Sequence, residues 1–424
     1  MKIAIVNKSD STGGAAVVSF RLMEALRRQG VDARMVVAER LTDSPYVVKA
    51  AADWRLKFSF LAERLKIFIA NGLNRSTLFR IDTASDGVDL LKNPVVRDAD
   101  VVMLNWVNQG LMSLRGLRRL LRSGKRVIWT MHDMWDFTGI CHHAGECREY
   151  EGNCSQCPLM KGGWYKGLAS LIHGRKKRSY ATGRIDFVAV SSWLAQRGER
   201  SSLFGGRRPT VIPNAFPFDN EEYIPAAGHN SGAENRKIRI VFGAARLDDN
   251  VKGLPILVRA TQILRDQYPD EAEEMELVTF GEARDPESLS GLGLRHDARG
   301  RLQGRAALRE VYESCDIVVS TSHYETLPGT LVEGQVYGCL PVAFDRGGQR
   351  DIVTDGETGL LVEWNDDREV AARRVAEALR RGARMMRGPE SEAIRQRMFE
   401  SAYSRFNEAA VAARYLSLIN NGAE

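Results

Sequence analysis

Two carboxylates eight residues apart, Glu325 and Glu333, lie in the segment whose residue types are best suited to chemistry. Glu325 stands in a polar loop after an apolar run that ends near Ser320, and Pro328 suits the first turn of a helix carrying Glu333. Unpaired N–H groups and the dipole at a helix start favour anions, so Leu327–Thr330 could hold a phosphate. Because carboxylates accept hydrogen bonds from hydroxyls, the segment indicates a ligand that carries both phosphate and sugar hydroxyls.

The first half of the chain alternates short β-rich runs with helix-length segments. Lys2–Val6 is an apolar run that leads into a loop with Gly13 and Gly14, and a helical pattern follows. This order predicts strand, glycine loop and helix. Further short runs occur at 34–38, 101–104, 126–130 and 187–191. Their spacing is typical of βαβ units in a parallel sheet covered on both faces.

The same alternation restarts near residue 238, after the polar segment Pro225–Glu234, which has the composition of a surface connection. We therefore expect an α/β protein with two doubly wound, Rossmann-like domains facing across a cleft, where ligands bind at the carboxyl ends of the strands. The expected domains are 1–215, 216–400 and 401–424, the last being a helical segment that returns toward the first domain. Near the C-terminus we expect helices at 369–381 and 390–419.

Composition and charge exclude several classes. Of 424 residues, 44% are hydrophobic and 27% charged, which excludes a disordered or collagen-like chain. No long uncharged apolar stretch and no signal-peptide run is present, so we expect a cytoplasmic protein. Residues 1–215 carry 34 basic and 19 acidic side chains, whereas 216–424 carry 26 and 35. A basic first half fits nucleic acid, an anionic membrane or an acidic substrate, and charge alone does not choose among them.

The segment with Glu325 and Glu333 resembles the E-x7-E motif of the retaining glycosyltransferases of family 4, which have the two-domain GT-B fold. The resemblance extends over nearly the whole chain and is strongest from about 240 to 362. Other segments match the family's elements in the same order. In the first half, Gly13-Gly14 matches the glycine loop and His132-Asp133 matches the active-site histidine. In the second half, 244–253 matches the Arg/Lys element for the donor diphosphate, 278–281 the glycine-ended strand, 302–304 the nucleobase loop, and 346–348 with 355–361 the C-terminal signature. Two positions depart from the pattern: Leu327 stands where Phe is more usual, and Asp351 replaces a Glu.

The resemblance implies that 1–215 is the acceptor-side domain and 216–400 the nucleotide-sugar-binding domain, and it implies a role for each matching residue. Arg246 and Lys252 would neutralise the diphosphate as the glycosidic bond breaks, and Glu325 would bind donor-sugar hydroxyls. His132 would sit near the reacting sugar and Glu333 would bind the ribose. No protein nucleophile is implied, since a donor phosphate oxygen would take the acceptor proton. The donor-binding set is Gly13, Gly14, Gly281, Gly304, Leu327, Pro328, Gly329, Thr330 and Glu333.

The implied function is transfer of a sugar, with retention, from a nucleotide-diphosphate-sugar to a hydroxyl of a lipid-linked or growing polysaccharide. The run from His132 to Pro158 also resembles one branch of bacterial polysaccharide-building members, which indicates surface-glycan assembly. No cofactor is required for this chemistry, and no basic patch is interleaved with an aromatic nucleic-acid module. The alternatives are a non-catalytic nucleotide-sugar-binding protein and a sugar-nucleotide epimerase or phosphorylase on a similar fold. Taken singly, each residue is more often a solvated side chain or a turn glycine.

Four of the six cysteines, Cys141, Cys147, Cys154 and Cys157, fall within 17 residues. Because cytosolic disulfides are disfavoured and Cys154-x-x-Cys157 has zinc-knuckle spacing, these thiolates could hold a structural zinc ion, with His142 or His143 as substitutes. The alternative is a set of reduced thiols in an ordered loop. A metal there would brace the loop after His132.

The segment Asp53–Arg75 has the pattern of a basic amphipathic helix. Its apolar residues recur at intervals of four, three, four and three: Trp54, Phe58, Leu61, Leu65 and Phe68. Basic side chains flank this stripe. The helix could lie on the anionic inner face of the cell membrane, where lipid-linked acceptors reside, or could bury its stripe against the sheet. The sequence leaves both alternatives open.

Overall fold

The computed structural model describes residues 1–160, 162–224 and 236–421. The expected surface connection Pro225–Glu234 lies outside the described residues. The chain divides into two compact units. The first comprises Met1–Ala215 together with the segment from Glu408 onward, and the second comprises Phe216–Asn407.

Each unit is built on one parallel β-sheet. In the described ranges the first sheet has the strand order β3-β2-β1-β4-β5-β6-β7 and the second has β10-β9-β8-β11-β12-β13. The strands are β1 (Lys2–Ser9), β2 (Asp32–Glu39), β3 (Val47–Lys49), β4 (Val101–Leu104), β5 (Arg126–Met131), β6 (Ile185–Ala189), β7 (Thr210–Val211), β8 (Ile238–Arg246), β9 (Met275–Glu282), β10 (Arg295–Ala298), β11 (Ile317–Ser320), β12 (Leu340–Phe344) and β13 (Leu360–Val362). The predicted pair of doubly wound α/β sheets is confirmed.

The helices mostly connect consecutive parallel strands, as βαβ connections require. They are α1 (Gly14–Arg28), α2 (Asp53–Ala70), α3 (Pro94–Asp98), α4 (Leu114–Arg122), α5 (Leu168–Tyr180), α6 (Ser192–Glu199), α7 (Leu254–Gln267), α8 (Pro269–Glu273), α9 (Gly304–Glu313), α10 (Gly329–Val336), α11 (Arg368–Arg387), α12 (Ser391–Phe406) and α13 (Glu408–Asn421). None of these helices combines the length and apolar character needed to cross a membrane.

The strand order of each sheet reverses beside its first strand. In the first unit β1 lies between β2 and β4, and in the second β8 lies between β9 and β11. At such a switch point the connections leave in opposite directions, and a crevice opens at the carboxyl ends of the strands. The loops that follow β1, β4, β8 and β11 are therefore the places where side chains can meet a ligand.

The expected helix at 390–419 is two helices in the structure. The backbone of Asn407 is extended, with φ −61° and ψ 147°, and its side chain donates to the carbonyl of Tyr403 at 2.6 Å. Helix α12 therefore ends at Phe406 in the second unit, whereas α13 packs on the first. The Tyr415 hydroxyl of α13 lies 2.9 Å from Thr130 Oγ1, and Arg126 donates to the carbonyl of Ile419 at 2.8 Å.

Candidate functional site

In the second unit, Lys252 and Glu325 are in direct contact. The Lys252 ammonium lies 2.5 Å from Glu325 Oε1, and the Ser322 hydroxyl donates to the same oxygen at 2.9 Å. The two charged side chains remain 32% and 20% exposed. The sequence places them 73 residues apart, and the fold joins them in an ion pair that a ligand can reach.

A glycine makes this contact possible. Lys252 ends a short 3₁₀ turn, Asn250–Lys252, directly before α7. Gly253 has φ +68°, and a Cβ there would lie 2.0 Å from the carbonyl oxygen of Thr321. The Thr321 hydroxyl donates to the Lys252 carbonyl at 3.0 Å. The loops after β8 and β11 can approach this closely only because residue 253 has no side chain.

The backbone of Glu325 is held by the glycine turn after β12. The Gly348 N–H donates to the Glu325 carbonyl at 2.7 Å. Gly347 has φ +78°, and a Cβ there would lie 2.5 Å from the same carbonyl oxygen. The segment Arg346–Gly348 therefore fixes the loop that presents the Glu325 carboxylate.

Arg246 stands at the end of β8, with its side chain 40% exposed. Its Nε lies 3.3 Å from Asp248 Oδ1, and its guanidinium also approaches Asp249 at 3.8 Å. The other oxygen of Asp248 accepts from the backbone N–H groups of Arg284 and Asp285. Arg246 thus forms ion pairs with carboxylates of its own loop rather than with Glu325, and its Nε has no hydrogen-bond acceptor among the described residues.

Helix α10 begins without a side-chain cap. Pro328 is its N-cap, with extended backbone, and makes no side-chain cap hydrogen bond to the first N–H groups of the helix. Gly334 packs α10 tightly onto β11, since a Cβ there would lie 2.5 Å from Val318 Cγ1. Leu327 is buried, whereas Gly329 and Thr330 in the first turn are partly exposed. Such a start offers N–H groups to an anion.

Glu333 lies inside α10 and is partly buried. Burial chiefly, and the nearby Glu333 carboxylate in addition, raise the pKa of Tyr312 well above its usual value. The Glu333 carboxylate therefore lies near enough to Tyr312 of α9 to act on it electrostatically.

Four glycines of the predicted donor set differ in whether packing excludes a side chain at that position. Gly281 has φ +122°, and a Cβ there would lie 1.7 Å from the Ala244 carbonyl oxygen, which is a packing requirement. Gly13 and Gly304 also have positive φ, at +89° and +79°, yet no atom lies within 4 Å of a Cβ built at either position or at Gly14. The backbone at these three positions is open to close approach.

In the first unit, His132 follows β5 and meets the loop after β4. His132 Nε2 lies 2.9 Å from Asn105 Oδ1. Because an amide oxygen only accepts, His132 Nε2 carries the proton. Burial lowers the pKa of His132 to about 4, so the ring is neutral near pH 7. The buried Asn105 Nδ2 has no acceptor among the described residues.

Asp133 is the centre of a network that the sequence did not reveal. One of its oxygens accepts from Trp106 Nε1 at 2.8 Å and lies 2.8 Å from His142 Nδ1. Burial would raise the pKa of Asp133, but the charges of His142 and His143 and its hydrogen bonds lower it to about 2. His142 is therefore a direct partner of the Asp133 carboxylate. Asn105 and Trp106 directly follow a strand, and this position in the sequence is the signal that could have indicated them as site residues.

A buried lysine supports the loop that follows Asp133. Lys176 of α5 is fully buried and donates to the carbonyls of Trp135 at 2.5 Å and Thr138 at 3.1 Å. Its ammonium also lies 3.2 Å from the Trp135 ring centroid. Burial lowers its pKa to about 7, opposed by the charge of Asp136. In the sequence Lys176 is hidden within a run of basic residues.

The zinc site at Cys141, Cys147, Cys154 and Cys157 stays a prediction. All four are free thiols, and burial raises the pKa of Cys141 to about 12 and of Cys154 to about 11. Within 1–160, 162–224 and 236–421, no three His, Cys, Asp or Glu side chains are grouped so as to hold a metal ion. Metal analysis of the purified protein tests it. One zinc per chain would support the site, and none with four titratable thiols would contradict it.

Residues 238–381 match the model of the family described as Glycosyl transferases group 1. The putative colanic acid biosynthesis glycosyl transferase WcaC of Escherichia coli is 24% identical over 83% of this chain and 85% of its own length. The D-inositol 3-phosphate glycosyltransferase of Stackebrandtia nassauensis is 34% identical, but over only 37% of this chain and 38% of its own length. A GDP-mannose-dependent alpha-mannosyltransferase of Mycolicibacterium smegmatis is 34% identical over 45% and 46%. The chain thus aligns with less than half of these last two relatives.

Solved structures match the fold over nearly the whole chain. HepE of Anabaena in complex with UDP has a TM-score of 0.60 at 17% identity, covering 99% of this chain and all of that one. WaaG, a glycosyltransferase involved in lipopolysaccharide biosynthesis, has a TM-score of 0.60 at 14% identity, covering 98% and 99%. Because the sequence identities are this low, the two matches show only that the fold is shared. The segment 238–381 thus matches the group 1 glycosyltransferases, and the chain as a whole has the GT-B fold.

Proposed function

We propose that this protein is a retaining glycosyltransferase that moves a sugar from a nucleotide-diphosphate-sugar to a hydroxyl of a lipid-linked or growing polysaccharide. The observation that carries the proposal is the Lys252–Glu325 pair. It sets a cation for phosphate and a carboxylate for sugar hydroxyls side by side at the carboxyl ends of β8 and β11, where ligands of such sheets bind.

The donor diphosphate would lie against Lys252, Arg246 and the uncapped start of α10. Negative charge grows on the leaving diphosphate as the glycosidic bond breaks, so fixed cations stabilise the transition state more than the ground state. Arg246 already pairs with Asp248, and Lys252 with Glu325, so part of the ordering of these side chains precedes donor binding.

The sugar and ribose would be held by carboxylates of the same loop and helix. Glu325 would accept hydrogen bonds from sugar hydroxyls, since Lys252 and Ser322 contact only one of its oxygens. Glu333 of α10 would bind the ribose. The open backbone at Gly304, Gly13 and Gly14 would allow close approach of donor groups. His132, neutral and donating through Nε2 to Asn105, would lie near the reacting sugar.

Relatives and structural neighbours support a nucleotide-sugar donor without agreeing on the base. HepE was crystallised with UDP and with UDP-glucose, whereas the mycobacterial relative is named as GDP-mannose-dependent. WcaC and WaaG carry names from colanic acid and lipopolysaccharide biosynthesis, which favours a polysaccharide or lipid-linked acceptor here. We place the reaction in the cytoplasm, where nucleotide sugars are donors.

A thermal-shift screen of the full chain against UDP, GDP, ADP, CMP and their sugar conjugates tests the proposal. A ligand that binds only the folded state raises its stability by RT ln(1 + [L]/Kd). We expect one nucleoside diphosphate to raise the melting temperature of the wild type and of Arg397→Ala, an exposed control on α12, but to raise that of Arg246→Ala much less. No shift with any nucleotide would contradict the transferase and favour a binder of another ligand.

A further inference from the structure

Helix α2 presents an apolar stripe to solvent. Five side chains at intervals of four, three, four and four are between 48% and 71% exposed: Trp54, Phe58, Leu61, Leu65 and Ile69. At 3.6 residues per turn these positions form one face of the helix. The stripe therefore is not buried against the sheet, which was one of the two outcomes open from the sequence.

The opposite face of α2 fixes this orientation with buried charged groups. Glu63 is fully buried and accepts from the backbone N–H of Thr83 at 2.8 Å and from its hydroxyl at 2.6 Å. Arg64 is 6% exposed and pairs with the buried Asp82 at 2.5 Å. Rotating the helix to bury the stripe would break these contacts and expose Leu56 and other core groups. The buried contacts on the opposite face therefore hold the apolar stripe of α2 toward solvent.

Two aromatic side chains extend the apolar surface beyond the end of the helix. Trp164 is 68% and Tyr165 is 46% exposed. The Tyr165 N–H donates to the carbonyl of Ala70, the last residue of α2, at 3.1 Å. A Cβ on Gly72 would lie 3.3 Å from the Trp164 ring. The two rings therefore lie at the C-terminal end of the stripe.

Basic side chains border the stripe on both sides. At about 100° per residue, Lys57 lies about 60° to one side of Trp54, and Arg55 and Lys66 lie about 100° and 120° to the other. All three are exposed. The acidic groups nearby are already paired, Asp53 with Lys49 and Asp86 with Lys66 at 2.6 Å. Four basic side chains, Lys49, Arg55, Lys57 and Lys66, outnumber these two carboxylates, so the border of the apolar surface carries a net positive charge.

We propose that α2, together with Trp164 and Tyr165, is the surface by which this protein lies on an anionic lipid bilayer. Trp and Tyr rings favour the headgroup level, and an apolar face rimmed by Lys and Arg is the pattern of helices that lie in the interface. The stripe is about 22 Å long from Trp54 to Ile69. Several anionic headgroups fit along this length beside the basic border.

Charge favours a lipid surface over a second copy of the chain. Two copies joined through α2 would bring Arg55, Lys57 and Lys66 of both near one another, whereas phosphate headgroups neutralise them. The inference does not depend on sugar chemistry, because it rests on α2 alone. It would place the proposed transferase at the surface where lipid-linked acceptors reside.

Flotation of the full chain with large unilamellar vesicles tests the proposal, with no nucleotide present. We expect binding to vesicles of phosphatidylglycerol and phosphatidylethanolamine that weakens as salt is raised, and little binding to pure phosphatidylcholine. The variant F58S/L61S should bind at least tenfold more weakly, whereas L41S/I224S, which changes two equally exposed apolar residues elsewhere, should bind as the wild type does.

Charge reversal supplies an independent test. R55E/K57E should lose binding to anionic vesicles, and R301E/R397E, with two exposed arginines of the second unit, should keep it. Melting temperature and the nucleotide-induced shift should be unchanged in all four variants, which separates a failure of this inference from a failure of the proposed function. Absence of wild-type binding, or equal binding by F58S/L61S and its control, would overturn the proposal. So would a solution dimer that F58S/L61S converts to a monomer, because a second copy would then cover the stripe.

Discussion

The ammonium of Lys252 and a carboxylate oxygen of Glu325 lie 2.5 Å apart in the ligand-free chain. Each charge therefore has a partner before any donor binds. Because the pair is partly exposed, its net contribution to stability is small, about 0–1 kcal/mol. In the proposed function its importance is positional, since it sets a cation and a hydrogen-bond acceptor side by side.

Replacing Glu325 with Gln should separate binding from turnover. The amide keeps the shape of the side chain but removes the charge that accepts from sugar hydroxyls. We expect turnover to fall about 100-fold, the scale for one charge-assisted bond made in the transition state. Affinity for the free nucleoside diphosphate should stay within about threefold, since Lys252 is retained. Steady-state kinetics and calorimetry measure the two quantities, and unchanged turnover would exclude the role given to Glu325.

Gly253→Ala should destabilise the second unit more than a Gly→Ala substitution that causes backbone strain without a steric clash. The added Cβ would lie 2.0 Å from the Thr321 carbonyl and would sit at φ +68°. We expect a loss of about 2–4 kcal/mol, against about 1 kcal/mol for Gly300→Ala, where φ is +62° but no atom lies within 4 Å. Urea unfolding compares the two. Equal losses would mean that the loops after β8 and β11 are not in close contact.

His132 should make folding stability depend on pH in the acid range. Burial lowers its pKa from 6.5 to about 4, so between these values the unfolded chain binds more protons than the folded chain. The contribution of His132 is therefore lost as the pH falls from about 6.5 to 4. Relative to His132→Asn, the wild type should become less stable over this window, measured as the difference in urea midpoint at pH 4.5 and 7.5. A constant difference would contradict burial of a neutral ring.

Lys176→Met should destabilise the first unit, although the substitution is apolar and the site is buried. The Trp135 and Thr138 carbonyls would lose their donor, and Asp136 would lose the nearby cation. We expect a cost of about 2–4 kcal/mol. Lys177→Met changes the exposed neighbour and should cost less than about 0.5 kcal/mol. Comparable effects of the two substitutions would show that Lys176 does not brace the loop.

Periodicity predicted much of the fold because parallel strands buried on both faces leave a strong local pattern. The runs at 101–104 and 317–320 coincide with β4 and β11. Local pattern could not separate α12 from α13, because the break at Asn407 depends on backbone dihedrals and a single side-chain bond rather than on an apolar interval.

The same limit applies to side chains whose role depends on distant partners. The spacing of Trp54 to Leu65 indicated one helical face but not its direction, which depends on Glu63 and Arg64 finding partners near residue 82. The sequence indicates His142 as a substitute metal ligand beside the cysteines, which stays a prediction, but it does not indicate the contact of His142 with Asp133, nine residues earlier. Tertiary contacts, invisible in one sequence, decide both cases.

The central claim is that Lys252 binds the diphosphate of a nucleotide-sugar donor, and isothermal titration calorimetry tests it most directly. The nucleoside diphosphate found in the thermal screen is titrated into wild type, Lys252→Ala and Lys237→Ala, the last changing the other lysine of the second unit. Loss of one charge-assisted contact costs about 1.5–3 kcal/mol. We therefore predict Lys252→Ala to bind at least tenfold more weakly and Lys237→Ala to bind as the wild type does. Equal affinity in all three proteins would contradict the assignment.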